Sequence, residues 1–165
     1  MNSNQAGQRS QQTADKPYTT LPDLLPTSTT IPYLSSLTTS DIDNLCTYLP
    51  PDLFLLEQEA DSSDVPTEPT PEAAKAAIEA LSLEQKREIL QRVLRSPQLR
   101  QSLGSLTVAL RDGGLPMIGE ALGLKVANGG LMRGGSMPLG GGEAVEGFVE
   151  GVRATVEEEE NKEKR

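Results

Sequence analysis

Apolar and polar positions alternate most regularly between Ser96 and Leu124. There Leu99, Leu103, Leu106 and Leu110 recur at i, i+4, i+7 and i+11, placing four leucines on one stripe of a helix. Arg100, Gln101, Ser105 and Arg111 fall mostly on the other side. Ser96 offers a hydroxyl to cap the first free N–H groups, and Pro97 suits the first helical position. Gly113 and Gly114 supply the left-handed conformation that ends a helix. Pro116 then opens a second short helix bearing Met117, Ile118, Ala121 and Leu122, which Gly123 stops. The pattern predicts a helical hairpin with a leucine-rich inner face.

The same reasoning locates other helices. Ser40 with Asp43 resembles a capping box, after which Ile42, Leu45 and Leu49 share a face until Pro50-Pro51. Leu53 to Leu56 form a compact apolar knot, and residues 57–69 read as a flexible acidic linker. Thr70-Pro71 restarts a helix, and Ser82 with Gln85 caps another, whose inner face carries Leu83, Ile89, Leu90, Val93 and Leu94. On that helix Glu84, Lys86, Arg87 and Glu88 are expected in water.

Residues 125–142 carry Gly129-Gly130, Gly134-Gly135 and Gly140-Gly141-Gly142 and read as a flexible insertion. The last helix, Glu143 to about Glu157, shows Val145, Phe148, Val149, Val152 and Val156 on one face. Gly147 and Gly151 would either admit a neighbouring backbone or simply weaken it, and the pattern alone favours the second. Residues 158–165 form a charged tail. Residues 1–37 are polar and punctuated by Pro17, Pro22, Pro26 and Pro32. They read as a disordered tail whose islands, Leu21, Leu24, Leu25, Ile31, Tyr33 and Leu34, either rest idle or dock a partner. The expected fold is all-α: a small bundle of five to six short helices over 38–157, with that disordered N-terminal tail and a Gly-rich loop.

Composition narrows the chemistry. The chain has 165 residues, 3% aromatics and a net charge of −9, which disfavours nucleic acid because phosphate binding needs clustered Lys and Arg. No apolar run approaches membrane-spanning length, and the N-terminus has no hydrophobic signal core, so no membrane partner is expected. Histidine is absent, which removes Ser–His and Cys–His nucleophile pairs and His-containing zinc sites. The single cysteine, Cys46, sits among Leu45, Thr47 and Tyr48, where a thiol behaves as a small buried hydrophobe. The glycine runs match neither a P-loop nor a dinucleotide fingerprint. No catalytic residue, cofactor or metal is therefore assigned.

Ser96-Pro97-Gln98, Leu103-Gly104, Ala109-Leu110, Gly113-Gly114-Leu115-Pro116 and Gly123-Leu124 carry a resemblance to a known family. The stretch resembles the C-terminal deubiquitinase-adaptor (DEUBAD) domain of the proteasomal ubiquitin receptor of the adhesion-regulating-molecule family. Weaker likeness runs from about Thr38 to Val156. The resemblance implies a non-enzymatic adaptor in the cytoplasm and nucleus. It would bind a UCH-type cysteine deubiquitinase and tie it to the proteasome regulatory particle in ubiquitin-dependent degradation. Residues 1–37 show no alternating strand pattern and do not resemble the N-terminal ubiquitin-binding domain of the family, so a fungal-type form without it is implied. The partner-binding candidates are Leu103, Leu106, Leu110, Leu115, Ile118, Leu122 and Leu124, with those at and after the turn better placed for contact. Two other classes remain open. One is a hydrophobic-client module of the ubiquilin or co-chaperone type, whose helices also begin with Ser/Asn-Pro. The other is an enzyme, for which no acid–base or nucleophile constellation is visible.

Overall fold

The computed structural model describes residues 20–54 and 70–165. Among these the chain is all-α, with one isolated antiparallel bridge between Leu131 and Pro138 and no strand. The helices are α1 (Leu21–Leu24), α2 (Thr27–Ser36), α3 (Thr39–Thr47), α4 (Pro71–Ala80), α5 (Leu83–Leu94), α6 (Pro97–Ala109), α7 (Leu115–Ala121) and α8 (Gly141–Glu163). A further helical turn begins at residues 52–54. Leu55, Leu56 and the 57–69 linker lie outside the described residues. The chain folds as two compact units: one runs from Leu25 to Ser102, and the other joins Leu103–Arg165 to the described residues up to Leu24. The stretch 38–157 is thus shared between two cores.

In the unit of residues 25–102, local chemistry sets the helix starts. Thr70 and Ser82 cap α4 and α5 as their sequence suggests, Ser82 completing a capping box with Gln85. The box at α3 starts two residues earlier than expected: Thr38 accepts from the Asp41 amide, and Asp41 accepts from the Thr38 amide. That register turns Ile42 and Cys46 fully inward. They join Leu34, Phe54, Ala77, Leu81, Ile89 and Leu90 in one core. Each large aliphatic side chain so buried contributes about 1.5–3 kcal/mol.

Two basic residues of α5 that the pattern places in water are instead structural. Lys86 is 6% exposed: its stem lies in the core, and its Nζ meets Asp43 Oδ1 of α3 at 2.6 Å. Arg87 reaches the other way, donating to the Leu37 carbonyl at 3.2 Å just past the end of α2. A guanidinium there satisfies a terminal carbonyl and complements the helix dipole. Together with the burial of Leu34 in the core, this holds α2 in place despite Pro32 inside it, in a segment whose composition reads as a tail. Residues 20–37 therefore hold two helices, with Leu21 and Leu34 buried. Residues 1–19 lie outside the described residues.

The second unit packs Leu110, Leu115, Ala144, Val145, Phe148 and Leu21 into a smaller core, with Leu103, Leu106, Ile118, Leu124, Val126 and Leu139 against it. The Gly-rich stretch is folded onto this core. Residues Ala127–Gly130 make a short 3₁₀ turn, the Leu139 amide donates to the Gly130 carbonyl at 2.8 Å, and the Met132 amide to the Met137 carbonyl at 2.8 Å. Gly130 has φ 79°, and a Cβ there would stand 2.9 Å from Leu115 Cγ and 3.0 Å from Pro116 N. The glycine is a packing requirement rather than a source of mobility.

Helix α8 is rotated and longer than its valine pattern predicts. Its inner face runs through Ala144, Phe148 and Gly151 to half-buried Thr155, while Val149, Val152 and Val156 are exposed. The cause is close approach at the glycines: a Cβ on Gly151 would lie 3.0 Å from Val126 Cγ2 and 3.5 Å from the Lys125 carbonyl oxygen. The reading that Gly147 and Gly151 merely weaken the helix is corrected on this point. The Lys125 amide donates to Thr155 Oγ1 at 2.9 Å. Beyond Val156 the helix continues to Glu163 instead of fraying, supported by the i,i+4 pairs Arg153–Glu157 and Lys162–Glu158 and by a contact from Lys125 to Glu158.

Two glycines should respond in opposite directions to alanine. Gly130→Ala combines a left-handed φ with a backbone clash and should lose about 2–4 kcal/mol. Gly104→Ala, within α6 with open space around it, should gain about 0.5–1 kcal/mol. Urea denaturation followed by circular dichroism measures both; a neutral Gly130→Ala would contradict the packed-loop account.

Candidate functional site

The two helices predicted between Ser96 and Leu124 are present and meet at the glycine turn. Helix α7 packs against α8 rather than along α6, so the expected hairpin face is not formed between them. The turns have a common construction. Ser96 Oγ accepts from the Leu99 amide at 3.2 Å, starting α6. A wide π-type turn over Leu110–Gly114 ends it, with Gly113 at φ 91°. Helix α7 ends similarly: Gly123 has φ 64°, and the Leu124 amide reaches back to the Gly119 carbonyl at 2.8 Å. That six-residue closure is a Schellman end, and the residue after the glycine customarily packs inward. Leu124 does so.

This construction sorts the seven candidate residues. Leu110 and Leu115 are fully buried, so they hold the core and present nothing to a partner. Leu103, Leu106, Ile118 and Leu124 are half-buried against that core. Only Leu122, 58% exposed at the end of α7, is open in the way a contact residue must be. Ile118 is less available than its position after the turn suggests, because its Cδ1 lies 3.2 Å from where a Cβ on Gly114 would stand.

Sequence reasoning passed over two exposed apolar residues on the same two helices, Met117 at 72% and Val108 at 55%. Their signal was present: Val108 lies off the leucine stripe, and Met117 faces away from Leu115 and Gly119, which are buried. Two further residues matter for a different reason. Thr107, 4% exposed, is a hydroxyl on the inner side of α6, donating to the Leu103 carbonyl at 2.8 Å. Its oxygen also accepts from the Leu21 amide at 3.2 Å, and Leu21 is buried in the same core.

Burial pushes the Cys46 thiol above its ordinary value, with the Lys86 ammonium opposing that shift and Asp43 adding to it. Among the described residues no three His, Cys, Asp or Glu side chains converge as a metal site, and no helix is long and apolar enough to cross a membrane. At α3, hydrogen bonds from the Thr38 side chain and amide hold the Asp41 carboxyl below the usual range. No family model, curated protein or solved structure matches this chain.

The thiol gives a pH test. A raised folded-state value means the neutral thiol is favoured by folding, so its contribution is complete below the ordinary value of 9.0 and declines as pH rises above it. Cys46 should resist a disulfide reagent at pH 8 in the folded chain and react at the rate of a free thiol in urea. Rapid labelling of the native chain would show that the site is open.

Proposed function

We propose that this chain is a non-enzymatic adaptor that binds a UCH-type cysteine deubiquitinase and links it to the proteasome regulatory particle, acting in cytoplasm and nucleus. What carries the reading is the pairing of two features on one segment. Ser96–Leu124 bears the residues that resemble the deubiquitinase-adaptor domain, and its turn helix leaves Met117 and Leu122 exposed. Exposed large apolar side chains on a rigid helix are the usual anchors of a protein contact. The lack of histidine and the burial of the lone thiol favour binding over chemistry.

One observation favours a second reading, a module for hydrophobic clients of the ubiquilin or co-chaperone type. Met117, Met132 and Met137 are all exposed, and unbranched thioether side chains adapt to many apolar surfaces. The two readings differ in stoichiometry and in breadth.

Isothermal titration of the full chain with a UCH-type deubiquitinase tests the first. Met117→Asp and Leu122→Asp should each weaken binding at least tenfold, about 1.4 kcal/mol, with circular dichroism unchanged. Leu110→Asp should unfold its unit, because it places a carboxylate in a fully buried position. Wild-type affinity in both exposed-site variants removes this surface as the contact. Weak binding to many unfolded clients, without a one-to-one complex, favours the second reading.

A further inference from the structure

The contact between Leu21 and α6 goes beyond the adaptor reading and does not depend on it. Leu21 is the first residue of α1, a single helical turn of four residues. An amide at that position has no acceptor within its own helix, and here it is given to Thr107 Oγ1. Thr107 can accept because its own proton is committed to the Leu103 carbonyl one turn back. Leu103 lies one turn before Thr107 on α6 and Leu110 one turn after it, at the start of the π-type turn that ends the helix. Both pack with Leu21 in the same apolar cluster. The site therefore has two components, a seat for one leucine and one oriented acceptor for a free amide.

We propose that this strip of α6 is a docking groove for a leucine placed at the first position of a short helical turn. Residues 20–24 are its resident occupant, displaced by a partner segment of the same chemistry. The resident is built to leave. It is one turn long, too short to persist by itself, and its internal bonds, Thr20 Oγ1 to Asp23 Oδ2 and the Asp23 amide to the Thr20 carbonyl, stay within the turn. Its ties to the groove include the Thr107 hydrogen bond and the buried Leu21 side chain, with Thr20 and Pro22 only half-buried. Leu24 and Leu25 remain 45% and 48% exposed and add no comparable anchor. Displacement uncovers Leu103 and Leu106, two half-buried residues of the leucine stripe.

The resident sequence supplies the probe. A fluorescent peptide of residues 16–26, KPYTTLPDLLP, is titrated with the full chain, with Leu21→Asp and with the Leu21→Asp, Thr107→Val double variant. The Leu21→Asp chain, its groove vacated, should bind the peptide at least tenfold more tightly than wild type. Removing the Thr107 acceptor should return at least threefold of that gain, and a peptide carrying aspartate in place of its own Leu21 should not bind. Equal binding by wild type and Leu21→Asp, or binding that survives the aspartate peptide, overturns the proposal. Should Leu21→Asp lose helicity, hydrogen exchange of the wild-type chain decides instead. The Leu21 amide exchanging at least tenfold faster than the Leu110 amide supports a displaceable turn, and exchange of the two together overturns it.

Discussion

Close approach of neighbouring segments onto glycines holds the second unit together. Its core has few large side chains, and it closes because Gly130 lies against Leu115 and Pro116 while Val126 is gripped between Gly119 and Gly151. At Gly119, Gly130 and Gly151 a neighbouring segment occupies the space a Cβ would take. Packing at this density multiplies weak dispersion contacts, which offsets the small apolar area available. The orientation of α8, the order of the Gly-rich stretch and the exposure of Val149, Val152 and Val156 all follow from these approaches. So does the division of labour on α7: Leu115 is consumed by the core that Gly130 completes, leaving Met117 and Leu122 outside.

The first unit solves its problem differently. Its core is larger and contains Phe54, but its helices are short and two of them have weak intrinsic reasons to form. Charge adds to what that core supplies. Lys86 and Arg87, adjacent on α5, reach in opposite directions, one to Asp43 on α3 and the other to the carbonyl ending α2. Surface ion pairs contribute little on their own. These two differ because one stem is buried and the other guanidinium meets a helix terminus, so each fixes where a helix lies as well as how tightly it is held.

What was legible in the sequence was local chemistry. Thr70, Ser82, Ser96, Gly113 and Gly123 mark helix ends correctly because a cap needs only residues within a few positions of it. The errors arise where a distant residue decides. Thr38 and Ser40 both precede an aspartate by three positions, and only burial of Ile42 and Cys46 selects the first. Helix α2 is held by distant residues, Leu34 by the core it enters and the Leu37 carbonyl by Arg87 fifty positions away. Glycine runs signal freedom when read alone, whereas Gly130 is demanded by a backbone that composition cannot reveal. At the candidate site the leucine stripe does not act as one face. Leu110 is in the core, Leu103 and Leu106 are half-buried against it, and Leu99 joins neither core. Whether a face meets core or solvent depends on what lies opposite. Part of what lies opposite is Leu21, in a segment whose prolines read as disorder, beside Ala144, Val145 and Phe148 of α8.

The separation of Leu21 from Thr107 by 86 positions has a consequence for how the protein is made. One unit, residues 25–102, is contiguous and interrupts the other in the chain. At ribosomal speeds of about 5–20 residues per second, the acceptor for Leu21 emerges roughly 4–17 s after Leu21 itself. The contiguous unit can complete its core in that interval, whereas the other must wait for α8. Residues 20–24 thus spend the synthesis period without their seat, available to chaperones, and long-range closure of this kind is slow because loop entropy opposes it. The seat for the N-terminal turn is therefore made only after the whole of residues 25–102 has been synthesised.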